Sequence, residues 1–458
     1  MFVLYRDYHS HKKFKTLAII INTSSHLITF YTTFGHEQRE AANFAGINEV
    51  CIPIKNYLCI IMKNEATIQF VQEHREEDVR ALALQARRGS DVDLTWALDQ
   101  IQGWQTACRK LPSWAAIDGI VYPPHLSMEQ CSSEQTARYK NEIVDTLPEG
   151  SHTTLIDLTG GFGVDFAFMA TRCERAIYVE LQEHLCETAR HNFELLGLSH
   201  ATIINNDAEN VLSDLVADPA STLLYLDPAR RDSNSARTYA ITDCTPNVLE
   251  LLPHLLNAAH HILIKLSPML DWHKAAIDLG NRVAEVHIVS VANECKELLM
   301  LLKADHEGEP VIHCANDSQR LTYTPTQNEV PLPLANDGDA AFLYEPNASI
   351  MKAGCFGVLT ERYPIKALAT DSHLFVSREN IKEFPGRQFV ITAVTSMNKK
   401  ELKQALAGIT QANVATRNFP MTAQQLRQRL RLKDGGDTYL FGTTNHTGQH
   451  LIFICRKN

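Results

Sequence analysis

TTLIDLTGGFGVDFAFMATRCERAIYVELQ, residues 153–182, is the stretch from which the fold can be read. Two short apolar runs, TTLIDL and AIYVE, flank a glycine-rich turn and a helical segment, and each closes on an acid, Asp157 and Glu180. The rhythm continues downstream in ATIINND, TLLYLD, HILIKL and EVHIVSV, with helical segments such as HLCETARHNFELL and TPNVLELLPHLLNA between several of them. Apolar strands alternating with helices predict a doubly wound parallel α/β sheet, covered on both faces. Ligands of such sheets bind outside the carboxyl ends of the strands. The residues that directly follow each run are therefore the candidates for function.

Gly160, Gly161 and Gly163 allow a tight turn and a close approach of a ligand to the backbone, and the helix start beyond them offers free amides. The spacing differs from the dinucleotide pattern GxGxxG, and an acid precedes it. Asp157 can accept a hydrogen bond from a cationic amine, for which a pyrophosphate site has no use. Glu180 can take both hydroxyls of a ribose. The third run ends in Asn205, Asn206, Asp207 and Ala208, where an Asp can receive the exocyclic amine of adenine. In LYLDPARR, Asp227 and Pro228 stand at the mouth of the sheet, with Arg230 and Arg231 just beyond. Taken singly, these residues have plain structural readings as a glycine turn or solvated strand-end acids. Taken together, four acidic strand ends and a glycine turn fit a nucleoside with a positive or amino-bearing tail. S-adenosylmethionine has those parts, and NAD fits less well. Lys265 and Ser267, after the fifth run, either line the same mouth or serve the structure.

The whole chain sets the limits. Its 458 residues are 45% hydrophobic and 21% charged, enough for two to four domains and too balanced for a disordered, collagen-like or disulfide-stapled protein. With 53 acidic against 43 basic side chains the formal charge is −10, so nucleic acid would have to be met by a local basic patch. Eleven cysteines without one CxxC pair argue for buried thiols in a reducing cytoplasm and against zinc ribbons or iron–sulfur sets. His313 and Cys314 read as packing, and no metal is expected. GxSxG, HExxH, GxxxxGK[ST] and calcium-loop patterns are absent from the sequence, which sets hydrolase, metalloprotease and kinase readings aside. No run reaches the roughly 18 apolar residues of a membrane span; LAIIINTSSHLITFY is interrupted by Asn22, Ser24, Ser25 and His26.

Residues 1–61 change style abruptly before the amphipathic text that starts at Met62. Three accounts are open: a strand-rich subdomain, a targeting segment, or sequence upstream of the true start, of which the last is favoured. Without them the charge becomes −12. Residues 62–147 predict helices over IQFVQEHREEDVRALALQARR, LTWALDQIQGWQTACRKL and SSEQTARYKNEIVDTL, separated by Gly89–Asp93 and Pro112–Pro124, with Trp96, Leu98, Ile101 and Trp104 as packing residues. The tail from GRQFVITAVTS to QHLIFICRK predicts strand, helix, strand, helix, strand, strand. It gathers positive charge at Arg417, Arg427, Arg429, Arg431 and Lys433.

From Ile156 to Pro228 the chain resembles class I methyltransferases, and LIDLTGGFGVD, YVELQ, NNDAENVL and LDPARR resemble a bacterial family of THUMP-like domain proteins. The likeness extends to VRALALQ (79–85), ALDQIQGWQ (97–105), SSEQTARYK (132–140), NECKEL (293–298), YEPNASIMKAG (344–354) and TRNFPMTAQQLRQRLRLKDGG (416–436). It implies a helical region at 62–147, a Rossmann-like methyltransferase core at 148–280 and a ferredoxin-like segment completing or following the core at 281–330. A linker with the start of the C-terminal module would follow at 331–384, and a THUMP-like domain at 385–458. It also implies that Asp157, Thr159, Gly160, Gly161 and Gly163 hold the methionine part of S-adenosylmethionine, Glu180 the ribose, and Asp207 with Ala208 the adenine. Asp227, Pro228 and Arg230 would form the catalytic group, Asp227 orienting the nucleophile or accepting its proton. Amino-methyltransferases have an acid or amide followed by Pro, Pro and an aromatic here. Ala229 and Arg230 depart from that pattern, removing a stacking platform worth about 1–3 kcal/mol.

The function expected is methyl transfer to RNA in the cytoplasm, with Arg417, Arg427, Arg431 and Lys433 as a phosphate-contacting surface. The ordinary alternative for such an Arg-rich helix is a solvated face. Two other functions stay open: a non-catalytic RNA-binding protein that keeps the fold, and a methyltransferase for a small molecule or protein.

Overall fold

The strand-end acids take their positions from a mixed nine-stranded sheet, ordered β14-β13-β11-β12-β10-β7-β4-β5-β6. The computed structural model describes residues 2–5, 15–22, 27–34, 64–85, 91–215, 218–230, 241–336 and 340–457. In chain order the strands are β1 (Phe2–Tyr5), β2 (Lys15–Asn22), β3 (Leu27–Phe34), β4 (Thr154–Asp157), β5 (Arg175–Glu180), β6 (Ala201–Asn205), β7 (Thr222–Leu226), β8 (Ala229–Arg230) and β9 (Cys244–Thr245). They continue with β10 (His261–Leu266), β11 (Val283–Val291), β12 (Glu294–Lys303), β13 (Val311–Asn316), β14 (Gln319–Tyr323), β15 (Phe342–Pro346), β16 (Lys366–Ala367) and β17 (Phe375–Ser377). The last four are β18 (Gly386–Ser396), β19 (Asn413–Arg417), β20 (Thr438–Thr444) and β21 (His450–Lys457). The first three pair antiparallel as a separate sheet.

By its contacts the chain divides into two units. One comprises residues 1–137, 161–171 and 180–206, and the other 138–160, 172–179 and 207–458. In the first, the helix expected over 68–88 is two helices, Glu65–His74 and Val79–Gln85. Asp78 breaks it: its carboxylate accepts from Ala81 N at 2.8 Å, so the side chain competes for amides that a continuous helix would use. The helix Leu94–Lys110 buries Ala97, Gln100, Ile101, Gly103 and Ala107, a stripe at helical spacing. Ile101 is core as expected, whereas Trp96, Leu98 and Trp104 are only half-buried. Trp104 donates its indole N–H to Ala115 O and lies under the Arg75 guanidinium, 4.7 Å from the ring centroid. Gly103 has no room for a Cβ, which would meet the Tyr122 side chain at 2.3 Å. The separator expected from Pro112 contains a helical turn, Pro112–Ala115, begun by a proline at the position where no amide is needed.

In the second unit β4, β7 and β10 run parallel, and the antiparallel β12 is inserted between β10 and β11. Leu298–Leu302 of β12 and Leu223–Leu226 of β7 are wholly buried, which accounts for their uninterrupted apolar text. Residues 281–330, expected as a ferredoxin-like segment completing or following the core, supply β11, β12, β13 and β14 and thereby extend this sheet beyond β10. Their apolar runs find partners in the core ladder and form no sheet of their own.

A second sheet, ordered β16-β17-β15-β18-β21-β20-β19, takes up residues 342–457. Its two faces are read by alternation. On β20 and β21, Phe441, Phe453 and Cys455 join one buried cluster, while Leu440, Ile452 and Ile454 join the other. The helix Ala348–Ala353 packs on β11, β12 and β13, its start fixed by Asn293 Oδ1 accepting from Ala348 N at 2.8 Å. Residues 331–384, expected as a linker with the start of the C-terminal module, carry β15, β16 and β17 of this sheet and the docking helix.

Candidate functional site

Strand order reverses at β4, whose neighbours β5 and β7 lead away in opposite directions, and such a reversal opens the crevice in which α/β sheets hold ligands. In the second unit, hydrogen bonds join four residues in one line across the carboxyl ends of β4, β7 and β10. Asp157 is buried; its Oδ1 accepts from Thr159 N at 2.9 Å and from the Thr159 hydroxyl at 3.4 Å. That hydroxyl in turn accepts from Asp227 N at 2.6 Å. Asp227 Oδ2 accepts from Lys265 Nζ at 2.6 Å. Asp227 is 37% exposed at its side chain against 13% for Lys265, so the carboxylate is the open member of the pair. Lys265, which the sequence left between a site role and a structural one, is thus tied to the expected catalytic acid.

Gly160 sits under β5: its N–H donates to Val179 O, and a Cβ would come within 2.2 Å of the buried Tyr178 ring. Packing alone demands glycine there. Gly161 and Gly163 take φ of 56° and 81°, the left-handed region that disfavours side chains. In the first unit, Glu180 Oε2 accepts from Gly161 N and Oε1 from Gln182 N, both at 2.8 Å. The carboxylate is 8% exposed and clamps the glycine turn while keeping a second lone pair on each oxygen. Asn205 secures the same strand end, donating to Glu180 O and Leu181 O at 2.9 Å.

Asp207 is half-buried and uses Oδ1 to accept from Glu209 N at 2.9 Å, at the start of the helix Ala208–Leu215, whose first residue is buried. Pro228 is buried and Ala229 exposed. The Arg230 backbone pairs with Cys244 in the short β8–β9 ladder; its side chain and the whole of Arg231 lie outside the described residues. Of the basic cluster, Arg417 pairs with the buried Glu345 carboxylate at 2.9 Å and Arg427 with Asp434 at 2.5 Å. These two are engaged within the fold, whereas Arg429, Arg431 and Lys433 are exposed.

Two groupings escaped the sequence reading. Lys140 and Glu297 form an ion pair at 2.5 Å with side-chain exposures of 0% and 3%. Glu285, His287 and His313 converge across β11 and β13. The available signals were the acid and histidine two residues apart in EVHIVSV, and the shared lysine–glutamate chemistry of SSEQTARYK and NECKEL. Neither names its partner without the strand register.

The comparisons with known proteins agree with this architecture. Residues 386–457 match a family model described as THUMP domain-like, and residues 342–385 one described as a ferredoxin-like domain, further along than the sequence placed it. A crystal structure from Porphyromonas gingivalis W83, assigned as a methyltransferase, shares 31% identity, covers 86% of this chain and 97% of its own, and superposes with a TM-score of 0.75. Two proteins described as uncharacterized RNA methyltransferases, from Clostridium acetobutylicum and Clostridium tetani, are each 27% identical over 124 and 125 residues. The chain spans only 27% of the length of these curated relatives, and the match covers 27% of the chain. With the glycine turn, the strand order and the two C-terminal matches in place along a relative matched nearly end to end, the chain belongs to the THUMP-like-domain family of class I methyltransferases.

Proposed function

We propose that the protein is an S-adenosylmethionine-dependent RNA methyltransferase. The observation that carries this reading is the line Asp157–Thr159–Asp227–Lys265 at the reversal of strand order. The donor set fits the cofactor. Asp157 and the glycine turn from Thr159 through Gly160, Gly161 and Gly163 suit an ammonium and a close-lying chain. Glu180 offers two carboxylate lone pairs to vicinal hydroxyls, and Asp207 with Ala208 offers an acceptor and a small apolar contact to a purine. When bound, S-adenosylmethionine supplies a methyl group already activated by a sulfonium. The protein's own task is then positioning, and alignment of reacting groups provides much of the rate in such cases. Asp227 orients the nucleophile and accepts its proton at Oδ1 or Oδ2, while Lys265 fixes the carboxylate's rotamer. Pro228 stiffens the loop behind it, and Arg230 meets a substrate phosphate. Exposed Arg429, Arg431 and Lys433 extend the contact to backbone phosphates, with Arg417 and Arg427 shaping that surface through their acidic partners.

Transfer from methyl-labelled cofactor to total cellular RNA tests the proposal. Label should enter RNA with the wild-type chain and fall at least 100-fold with Asp227→Ala. Label in protein or in small metabolites would refute the substrate. Cofactor binding by calorimetry without transfer to any fraction would favour a non-catalytic RNA-binding protein, a reading that Ala229 supports by leaving no aromatic platform beside Asp227.

A further inference from the structure

Outside the strand-end site, one cluster has ligand geometry. Glu285 and His287 stand two residues apart on β11, so both side chains project from one face of the sheet. His313 lies on the neighbouring β13 directly across from His287. The two imidazole rings stack with centroids 4.5 Å apart and planes within 9°. His287 Nε2 is 3.3 Å and His313 Nε2 3.4 Å from the same oxygen, Glu285 Oε2, and the three ligand atoms lie within 4.8 Å of one another. The outer ring nitrogens are engaged elsewhere: His287 Nδ1 with the Tyr139 hydroxyl and His313 Nδ1 with the Thr322 hydroxyl, each at 3.1 Å. Lys303 holds the other carboxylate oxygen, Oε1, at 3.3 Å.

Hydrogen bonding alone leaves this arrangement unfinished. His287 is buried, with its Nδ1 facing the Tyr139 hydroxyl at 3.1 Å. If its single proton sits on Nδ1 and is donated to Tyr139, Nε2 turns a bare lone pair toward a carboxylate oxygen. Nε2 of His287 is in fact buried without a hydrogen-bond partner among the described residues. A hydroxyl beside Nδ1 on both rings can accept from it, which is the second-shell arrangement that metal-bound histidines use. Two ring nitrogens and one carboxylate oxygen then stand within 4.8 Å of one another, close enough for modest side-chain rotation to bring all three onto one ion. Ligand atoms around a tetrahedral ion with bonds of about 2.0–2.1 Å lie about 3.3 Å apart, which is the spacing of both nitrogens from Oε2.

We propose that Glu285, His287 and His313 bind one divalent transition-metal ion of the zinc class. Two borderline imidazole nitrogens beside one hard carboxylate oxygen suit zinc and its neighbours, whereas magnesium and calcium favour all-oxygen shells. Glu285 and His313 are partly exposed, which gives the ion a path in and leaves a fourth position for water. The ion clips β11 to β13 at the edge of the central sheet, on strands other than those that end in the strand-end acids, so the site stands or falls independently of methyl transfer.

The test uses the tag-free full chain, stripped with a chelator and titrated with Zn²⁺ alone. One equivalent should bind with a dissociation constant at or below the micromolar range and raise the thermal midpoint. Co²⁺ should give the visible bands of a four-coordinate ion without a thiolate charge-transfer band. Glu285→Gln and His313→Gln should each weaken binding at least 100-fold. Thr322→Val, at an exposed position behind His313, should weaken it about tenfold, which is the scale of second-shell losses. That variant keeps the test valid if the ligand variants fail to fold. Absence of stoichiometric uptake, a thiolate band with Co²⁺, or unchanged affinity in a folded His313→Gln protein would overturn the assignment.

Discussion

Lys140 is enclosed completely, and its ammonium pairs with the buried Glu297 carboxylate. Removing one partner of such a pair strands the other, at about 3–5 kcal/mol, whereas replacing both with apolar groups of similar volume is often near neutral. Glu297→Gln should accordingly lower the urea midpoint sharply, and the Lys140→Met/Glu297→Leu double variant should recover most of it. A double variant as unstable as the single one would mean that the pair makes further contacts that apolar groups cannot replace. The same two residues explain stretches whose family likeness had no reason in the sequence: SSEQTARYK supplies Lys140 and NECKEL supplies Glu297. YEPNASIMKAG and TRNFP meet in the same way through Glu345 and Arg417. Such pairs were invisible because no local pattern marks which acid belongs to which base across more than seventy residues. At the strand ends the opposite holds. Asp157, Glu180 and Asp227 follow directly from the position of each apolar run, whereas the Thr159 bridge and the tie to Lys265 needed the structure. Lys265→Met should reduce turnover at least tenfold while leaving cofactor affinity within about twofold, as calorimetry on the same preparation would measure. A matching loss of cofactor affinity would instead give the lysine a binding role.

At the level of elements, periodicity served well wherever an element is covered on defined faces. The six core runs became β4, β5, β6, β7, β10 and β11, and the tail followed its expected succession from β18 to β21. It failed where polar side chains redirect the backbone, as at Asp78, and it left open whether residues 281–330 complete the core or follow it, which strand pairing decides. The tail helix Ala423–Leu430 begins with a reciprocal cap: Thr422 Oγ1 accepts from Gln425 N at 3.2 Å, and the Gln425 side chain accepts from Thr422 N at 2.9 Å. Thr422→Ala should lower stability by about 1 kcal/mol in denaturant titration. A change much smaller than this would mean that packing of Leu426, not the cap, defines the helix start. Strand β10 carries a second consequence, for pH. Burial, with help from the charges of His260 and Lys303, lowers His261 from 6.5 to about 4. The folded state then stays neutral while the unfolded chain takes up a proton. The His261 contribution is therefore complete above pH 6.5 and is lost as pH falls from 6.5 toward 4, by up to about 3 kcal/mol. Unfolding midpoints across that window should fall more steeply for the wild-type chain than for His261→Phe, and parallel slopes would refute the assignment.

For the molecule as a whole, a charge of −10 makes any hold on RNA depend on a segregated surface. Arg431 and Lys433 are exposed, whereas Arg417 is bound to Glu345. Replacing Arg431 or Lys433 by Ala should flatten the dependence of log affinity on log salt by roughly one unit or less each. Retention of the full slope in the double variant would move the RNA surface elsewhere. No helix among the described residues is long and apolar enough to cross a membrane. The seven-stranded sheet has a consequence for inheritance. The boundary between the ferredoxin-like and THUMP-like matches falls between residues 385 and 386, yet β15 on one side pairs with β18 on the other along five residues. A recombination event at that boundary would expose two hydrogen-bonding edges at once, each a template for aggregation. The two segments must travel between genes as a single cassette, and lineages that possess one should possess the other.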